Sequence, residues 1–375
     1  MKHDHSEHST RPAPQTTEKP VTAAQLLFKS TLLALAIASG MLLVTAIGVL
    51  LFVYSKFTVF LSTAGLSTGE VKSFIDQGIQ TSIPVQDNVT TFLLLGIDSV
   101  ENKVGAPPLT DSMLLVSLDH RDGSVRTVAM PRDLWSEEYK TKINALYVYG
   151  KERYPNSPQQ FPKEVIEEMT GIPINYTLVI SLDMVASLVD TLGGVTIEVP
   201  ESFTDIEFPR ADVDIAKVKD PTELYETVTF EKGTEKMSGE RILKYVRSRH
   251  SQGDTGTDTD RTKRQQLVIR SIADVFKQKS LWTNPQLIGQ LYKWYAQHIK
   301  SVLSEQEVVA FSKLLFPYRN SITVTASEIT IFPDDPQGLI EHPPVSKTDN
   351  QWVYAIKNPE DFRKKVYDML IKPSN

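Results

Sequence analysis

The sequence predicts an α/β domain, a central mixed sheet flanked by helices on both faces (α/β/α), preceded by one N-terminal transmembrane helix. Three observations predict it. A 24-residue run without a charge, Thr31 to Tyr54, stands near the N-terminus. A continuous apolar run, "TFLLLGID" (Thr91–Asp98), has the pattern of a buried strand. Beyond it, apolar strand-like runs alternate with segments of helical period up to the C-terminus.

Residues 1–30, which open with "MKHDHSEHSTRPAPQTTEKP", are polar and proline-bearing, and this predicts a disordered cytoplasmic tail. The run 31–54 would reach ~36 Å as a helix, enough for a hydrocarbon core of ~30 Å. A cleaved signal peptide is the rival reading, but the run is too long for one and its polar leader is 30 residues. Lys2, Arg11, Lys19 and Lys29 precede the span and only Lys56 comes closely after it. The expected location is therefore the cell membrane, single-pass, with the N-terminus inside and the body extracytoplasmic. Residues 55–90 read as a stalk or linker, within which "LSTGEVKSFIDQGIQ" is expected to form a short helix.

After the Thr91–Asp98 strand and a polar loop, "SMLLVSLDHRDGSVRTVAMPRDLW" reads as two strands around an Arg-Asp-Gly turn, stopped by Pro131. "KINALYVYG" reads as a short helical turn ending at Gly150. "PKEVIEEMTGIPINYTLVISL" is a helix closed near Gly171 and then a strand. A helix from Asp183 to about Leu192, capped by Gly193-Gly194, leads to strand Val195–Val199. Residues 201–233 read as a long irregular insertion. Ser238 N-caps a helix to about Tyr245, and a further helix runs from about Thr262 to Lys277. Two more helices span Pro285–Ile299 and Glu305–Leu315. Strands "ITIF" and "WVYAI" and helix Pro359–Leu370 form a C-terminal strand–helix extension, 321–375, packed on the 91–320 domain.

With 40 Lys+Arg against 46 Asp+Glu the net charge is −6, so binding of nucleic acid by bulk charge is not expected. There is no cysteine, which excludes disulfides and thiol catalysis. Charge is nonetheless concentrated locally: residues 236–270 hold nine Lys/Arg against four acids. Such a cluster is either a solvated surface or an anion site. If a helix begins near Asp260–Thr262, Arg261, Arg264, Gln265 and Val268 share one face, with Arg261 and Arg264 beside free N–H groups, a phosphate-binding arrangement. Arg247 and Arg249 share a face if the chain there is extended, and diverge if the preceding helix continues through them. Asp98 and Asp111 stand at two strand ends; beside a phosphate they suggest Mg²⁺, though acids at such places also serve as caps or ion-pair partners. No GxSxG, HExxH or Walker loop is present. The set points from acyl hydrolysis toward phosphoryl chemistry.

The segments "LLLGIDS", "TDSMLLVSLD", "VAMPRDLW", "KINALYVYG", "LVDTLGGVTIEVP", "MSGERILKYVRSRH" and "DTDRTKRQQ" come in the order seen in LytR–CpsA–Psr proteins, which the chain resembles over about residues 91–277. The resemblance implies transfer of a glycopolymer from a polyprenyl-pyrophosphate carrier to peptidoglycan through a phosphodiester, at the cytoplasmic membrane. It implies a prenyl tunnel, here expected to be lined by Leu146, Val179, Val185 and Leu188; ordinary core is the other reading of those four. Asp98 and Asp111 match the acids that hold Mg²⁺, and Arg132 the arginine of the "PRD" strand end. Arg247 and Arg249 match the "VRSRH" pair, and Arg261, Arg264 and Gln265 the helix start. Asp98, Asp111, Arg132, Arg247 and Arg264 are expected to be catalytic, and Arg249, Arg261, Gln265, Asp258, Asp260 and Lys103 to bind substrate. Asp258 and Asp260 correspond to the acids of a "GDFDR"-like loop that here reads "TDTDR". Leu109 stands where the family usually has arginine, and Lys103 is the cation of the same loop placed to substitute. Two alternatives to transfer are a lipid-binding or regulatory module without transfer and a pyrophosphatase acting on the same lipid.

Overall fold

The computed structural model describes residues 23–97, 109–210, 213, 220–248, 258–319, 321–332 and 334–372, without the side chains of 23–27, 29–30, 221–222 and 258–262. It divides into two units, residues 1–58 and 59–375. The first holds most of helix α1, Ala23–Ala64. Within α1 the stretch Thr31–Ala64 contains an 18-residue run of mean hydropathy 2.5, none of it buried, so it is long and apolar enough to cross a membrane.

The second unit is built on a five-stranded mixed sheet. Strands β1 (Val89–Ile97), β2 (Thr110–Asp119) and β3 (Val125–Met130) form an antiparallel meander. Strand Tyr176–Ser181 adds parallel to β1, and strand Val324–Glu328 adds parallel to β3 as an edge. Four of the five strands therefore point one way. Their C-terminal ends, with the start of β2, form one rim of the sheet, the usual place for a site in α/β proteins.

The two faces of the sheet are unlike. On one, Leu93, Leu95, Met113, Leu115, Val128 and Met130 are buried under helices Leu146–Arg153, Gln160–Thr170 and Pro359–Leu370. On the other, the cross-strand neighbours Leu94, Leu114, Ala129, Leu178, Gly96 and Ile180 are half-buried or exposed. That face closes only at its far end, where Phe92 stacks on Tyr176 at 5.2 Å between ring centres and meets Phe311 at 5.7 Å. A separate core lies in the segment after Ser181. There Val195, Ile197, Phe203, Phe230, Ile242 and Tyr245 pack together.

Three expectations are corrected. Residues 55–90 are not a free stalk. Ser67 and Glu70 form a capping box that starts helix α2, Thr68–Gln80. Its buried Gly78 lies so close to Val309 and the Gln306 carbonyl that no side chain fits there, and Lys313 Nζ donates to the Ile79 carbonyl at 3.0 Å. The 201–233 insertion contains regular strands among its described residues. Strands Phe203–Pro209 and Tyr225–Phe230 form a hairpin, and Gly233–Met237 pairs with Val195–Val199. The hairpin's register shifts between Asp205 and Phe208, and Asp205 is buried; a bulge and a buried acid break the alternation by which a strand is recognised. Third, "ITIF" is not the C-terminal strand of the sheet. The edge strand is the polar, exposed Val324–Glu328, and Ile331 makes only an isolated bridge to Ile340.

The C-terminal segment goes deeper than an extension packed on the domain. Phe362, Val366 and Leu370 are fully buried in the main core, and buried Ser117 Oγ donates to the Leu370 carbonyl at 2.6 Å.

Candidate functional site

The rim collects a charged cluster. Pro131 has no N–H to continue the ladder, so β3 ends at Met130; the Leu134 N–H donates to the Pro131 carbonyl and turns the chain. This turn presents Arg132, whose Nη1 donates to Asp111 Oδ1 at 2.6 Å. Arg132 Nε reaches Asp133 Oδ2 at 3.5 Å, and Lys142 Nζ donates to Asp133 Oδ1 at 2.8 Å. The Asp111 and Arg132 side chains keep 25% and 33% of their surface exposed. Thr110, next to Asp111, is buried, and its hydroxyl has no hydrogen-bond partner among the described residues. Leu109, one residue earlier, is exposed.

A second group lies where helix Gly239–Arg247 gives way to helix Asp258–Phe276. Ser238 caps the first, and Gly239 lies so close to the Ala186 carbonyl and Asp190 that no side chain fits there. Arg247 occupies the last turn, so the helical alternative holds there, and Ser248 ends the helix as its C-cap. The Arg264 guanidinium lies 4.8 Å from the Phe203 ring centre and donates to the carbonyl of buried Ser248. Arg264 is thus buried and bridges the two helices. The second helix begins at Asp258, two to four residues before the expected start. Asp258, Asp260 and Arg261 occupy its first turn, and Arg264 falls in the second, away from the free N–H groups. Gln265 is half-buried. Asp98, Lys103 and Arg249 lie outside the described residues, as do the side chains of Asp258, Asp260 and Arg261.

The tunnel residues are placed differently from expectation. Leu146 is fully buried in the main core, Val179 packs against that core and Val185 against the second one. These three are core; Leu188 is half-buried on helix Leu182–Thr191. Among the described residues, Leu94, Leu114 and Ile180 on the opposite sheet face are half-buried and Ala129 is exposed, while Leu178 packs with the Tyr176–Phe311 cluster; neither composition nor helical spacing distinguishes these residues from core.

The LytR_cpsA_psr family model matches residues 57–312, about two thirds of the chain. The chain belongs to the LytR_cpsA_psr family. Relatives include the Bacillus subtilis polyisoprenyl-teichoic acid–peptidoglycan teichoic acid transferase TagV, 23% identical over 65% of this chain and 59% of the relative. The Bacillus cereus transferase TagU is 24% identical over 60% of this chain and 63% of its own length. The chain thus spans about three fifths of the length of these two relatives. The crystal structure of Bacillus subtilis TagV covers 77% of this chain and all of that chain with a TM-score of 0.50 at 19% identity, a likeness of fold. The five-stranded mixed sheet with its flanking helices is the fold of a LytR_cpsA_psr protein. The family match begins at residue 57 and so takes in α2, in keeping with its docking on helix Glu305–Leu315.

Proposed function

We propose that this LytR_cpsA_psr protein transfers a glycopolymer from a polyprenyl-pyrophosphate carrier to peptidoglycan through a phosphodiester bond. The observation that carries the reading is the half-open apolar sheet face that ends at Asp111 and Arg132. A prenyl chain needs an apolar slot, and a pyrophosphate at its head needs fixed cationic donors. Arg132 stands at the rim where this face ends, with its guanidinium held by Asp111. Arg247, with Arg249 and Arg261 near it in sequence, supplies further positive charge. The relatives carry names for the same transfer, from a polyisoprenyl carrier to peptidoglycan.

In this reading an acceptor hydroxyl attacks the phosphorus that bears the polymer's sugar. The P–O bond bridging the two phosphates breaks, prenyl phosphate leaves, and the hydroxyl proton passes to solvent. Little covalent chemistry falls to the protein; its side chains position the phosphates and stabilise the charge that develops on the leaving oxygen.

Magnesium fits the residues at the rim in kind. Asp111 offers carboxylate oxygen, and the Thr110 hydroxyl is a further oxygen beside it. No group of three or more His, Asp or Glu side chains that could hold a metal occurs among the described residues. Mg²⁺ held by Asp111 and Asp98 would therefore complete its shell on phosphate oxygens and water, as this ion commonly does. When bound it would neutralise phosphate charge.

The body lies outside the cytoplasmic membrane in this proposal and the first 30 residues inside; protease added to intact spheroplasts then digests residues 55–375. The exposed Leu109 favours a second reading, a lipid-binding module without transfer, because leucine gives a pyrophosphate no hydrogen bond. One experiment separates the readings: the full chain in lipid nanodiscs with a polyprenyl-pyrophosphate oligosaccharide, Mg²⁺ and peptidoglycan fragments. Saccharide on peptidoglycan supports transfer. Free sugar phosphate means hydrolysis, and bound, unchanged lipid means the module.

A further inference from the structure

The family match ends at residue 312, yet the chain returns to the rim of the sheet near its C-terminus. The Tyr354 N–H donates to the Asp133 carbonyl at 2.9 Å, and the Trp135 N–H donates to the Tyr354 carbonyl at 2.7 Å. Tyr354 is thereby laced beside the Arg132–Asp133–Lys142 cluster. Around it three rings meet: His342 and Trp352 at 4.2 Å between centres, His342 and Tyr354 at 4.2 Å, Trp352 and Tyr354 at 5.1 Å. His342 is exposed, and Trp352 keeps 53% of its surface in solvent.

An exposed tryptophan is ordinarily disfavoured by hydration, and here the chain is shaped to hold it out. Asp349 and Asn350 take left-handed φ values of 51° and 59°, residue types that tolerate that region. The Asn350 N–H donates to the Val345 carbonyl at 2.9 Å, and buried Thr348 Oγ1 donates to the Gln351 carbonyl at 2.7 Å. His342 Nδ1–H donates to the Val353 carbonyl at 2.8 Å, which fixes the imidazole against its two neighbours. The rings are therefore positioned before any ligand arrives, and little ordering entropy remains to be lost on binding.

We infer that His342, Trp352 and Tyr354 form a platform for the pyranose ring of an uncharged sugar, the acceptor glycan in the transfer proposed above. A pyranose presents polarised C–H groups on one face and hydroxyls around its edge. The C–H face suits the negative face of an indole, and the hydroxyls need acceptors nearby. Carboxylates supply them. The Asp133 carbonyl accepts the Tyr354 N–H at 2.9 Å, which sets Asp133 beside this ring, and burial together with the charges of Asp133 and Asp334 pushes the Tyr354 phenol up from its ordinary value. The Asp133 carboxylate, shared with Arg132 and Lys142, offers an acceptor to neutral hydroxyls. The neutral ring faces suit the acceptor glycan, whose sugars are uncharged in this reading, rather than the phosphate-bearing donor polymer.

The assignment rests on the transfer reading for the ligand's role, but its test does not need turnover. Full-length protein in nanodiscs is titrated calorimetrically with the uncharged tetramer of N-acetylglucosamine and, separately, with a glycerol-phosphate polymer and with a polyprenyl-pyrophosphate saccharide. The tetramer binds; W352A weakens it about tenfold, the worth of one good stacking contact, while W352F keeps it within about threefold. The glycerol-phosphate polymer does not compete, and affinity for the donor lipid is the same in W352A as in the parent. If the parent does not bind the tetramer, if W352A binds it as the parent does, or if the polyanion displaces it, the platform is overturned and donor binding is untouched. If the tetramer binds but the donor lipid does not, the transfer reading fails and the platform stands.

Discussion

Strand β2 carries an Asp–Arg pair at each end, and the two differ in a way that separates support from chemistry. At the turn end, Asp119 accepts from Arg121 Nη2 at 2.5 Å and from Arg126 Nη1 at 3.3 Å. The Asp119 and Arg126 side chains keep only 1% and 5% of their surface exposed. Burial alone would raise the Asp119 carboxyl; the hydrogen bonds and charge of Arg121, with Arg126, outweigh it and bring it down to about 2. At the rim end, Asp111 and Arg132 are in closer contact than Asp119 and Arg126, at 2.6 Å, yet a quarter to a third of each side chain stays in solvent. A pair closed off from water can only hold the fold. A pair at the rim can exchange its partner for a phosphate. Distance does not tell them apart, whereas burial and position on the sheet do.

The largest expected effect breaks the turn-end pair. Asp119→Asn leaves buried Arg126 without its counter-charge and should lower the unfolding free energy by about 3–5 kcal/mol in urea titrations. Asp111→Asn should change it by less than about 1 kcal/mol, since that pair is part-exposed. Equal losses in the two variants would erase the contrast.

Next comes chemistry. Asp111→Asn and Arg132→Ala should each slow saccharide transfer about tenfold or more, the worth of a charge-assisted hydrogen bond. Transfer per folded molecule in Asp119→Asn should match the parent.

The contrast also has a pH signature. The Asp119 carboxyl sits at about 2 in the folded protein, below the ordinary value of about 4 in the unfolded chain. Its contribution is therefore full above about pH 4 and is lost as pH falls toward 2. Urea midpoints measured at pH 5, 3 and 2 should fall more steeply in the parent than in Asp119→Asn.

A smaller effect tests the rim itself. Leu109→Arg adds a forked donor two residues before Asp111 and should speed transfer by up to about tenfold. No change would mean that this loop does not reach the phosphates. The smallest expected effect is the control: Lys140 and Glu137 form a 2.8 Å ion pair that is largely exposed, and Lys140→Ala should shift stability by less than about 0.5 kcal/mol.

The sequence by itself determined the class of fold, the membrane-length helix and the family, because those depend on local pattern. "TFLLLGID" and "SMLLVSLD" are apolar enough to be core strands wherever they pair, and Ser238 and Gly171 act on their own helix ends. It also named Asp111 and Arg132 as site residues, though not that they touch. Tertiary structure alone decided the rest. Whether Leu146 or Leu114 lines open space depends on which sheet face the helices cover, and both are simply leucine in the sequence. The polar edge strand Val324–Glu328 exists because β3 offers a free edge, not because its own residues demand a strand. Arg264 reads as an anion ligand until Phe203 and Ser248, distant or displaced in sequence, close over it. Tyr354 is set beside the rim by backbone hydrogen bonds to residues some 220 positions earlier in the chain. Such long-range pairing has no signature in spacing, since its free energy comes from contacts that form only when the sheet is complete.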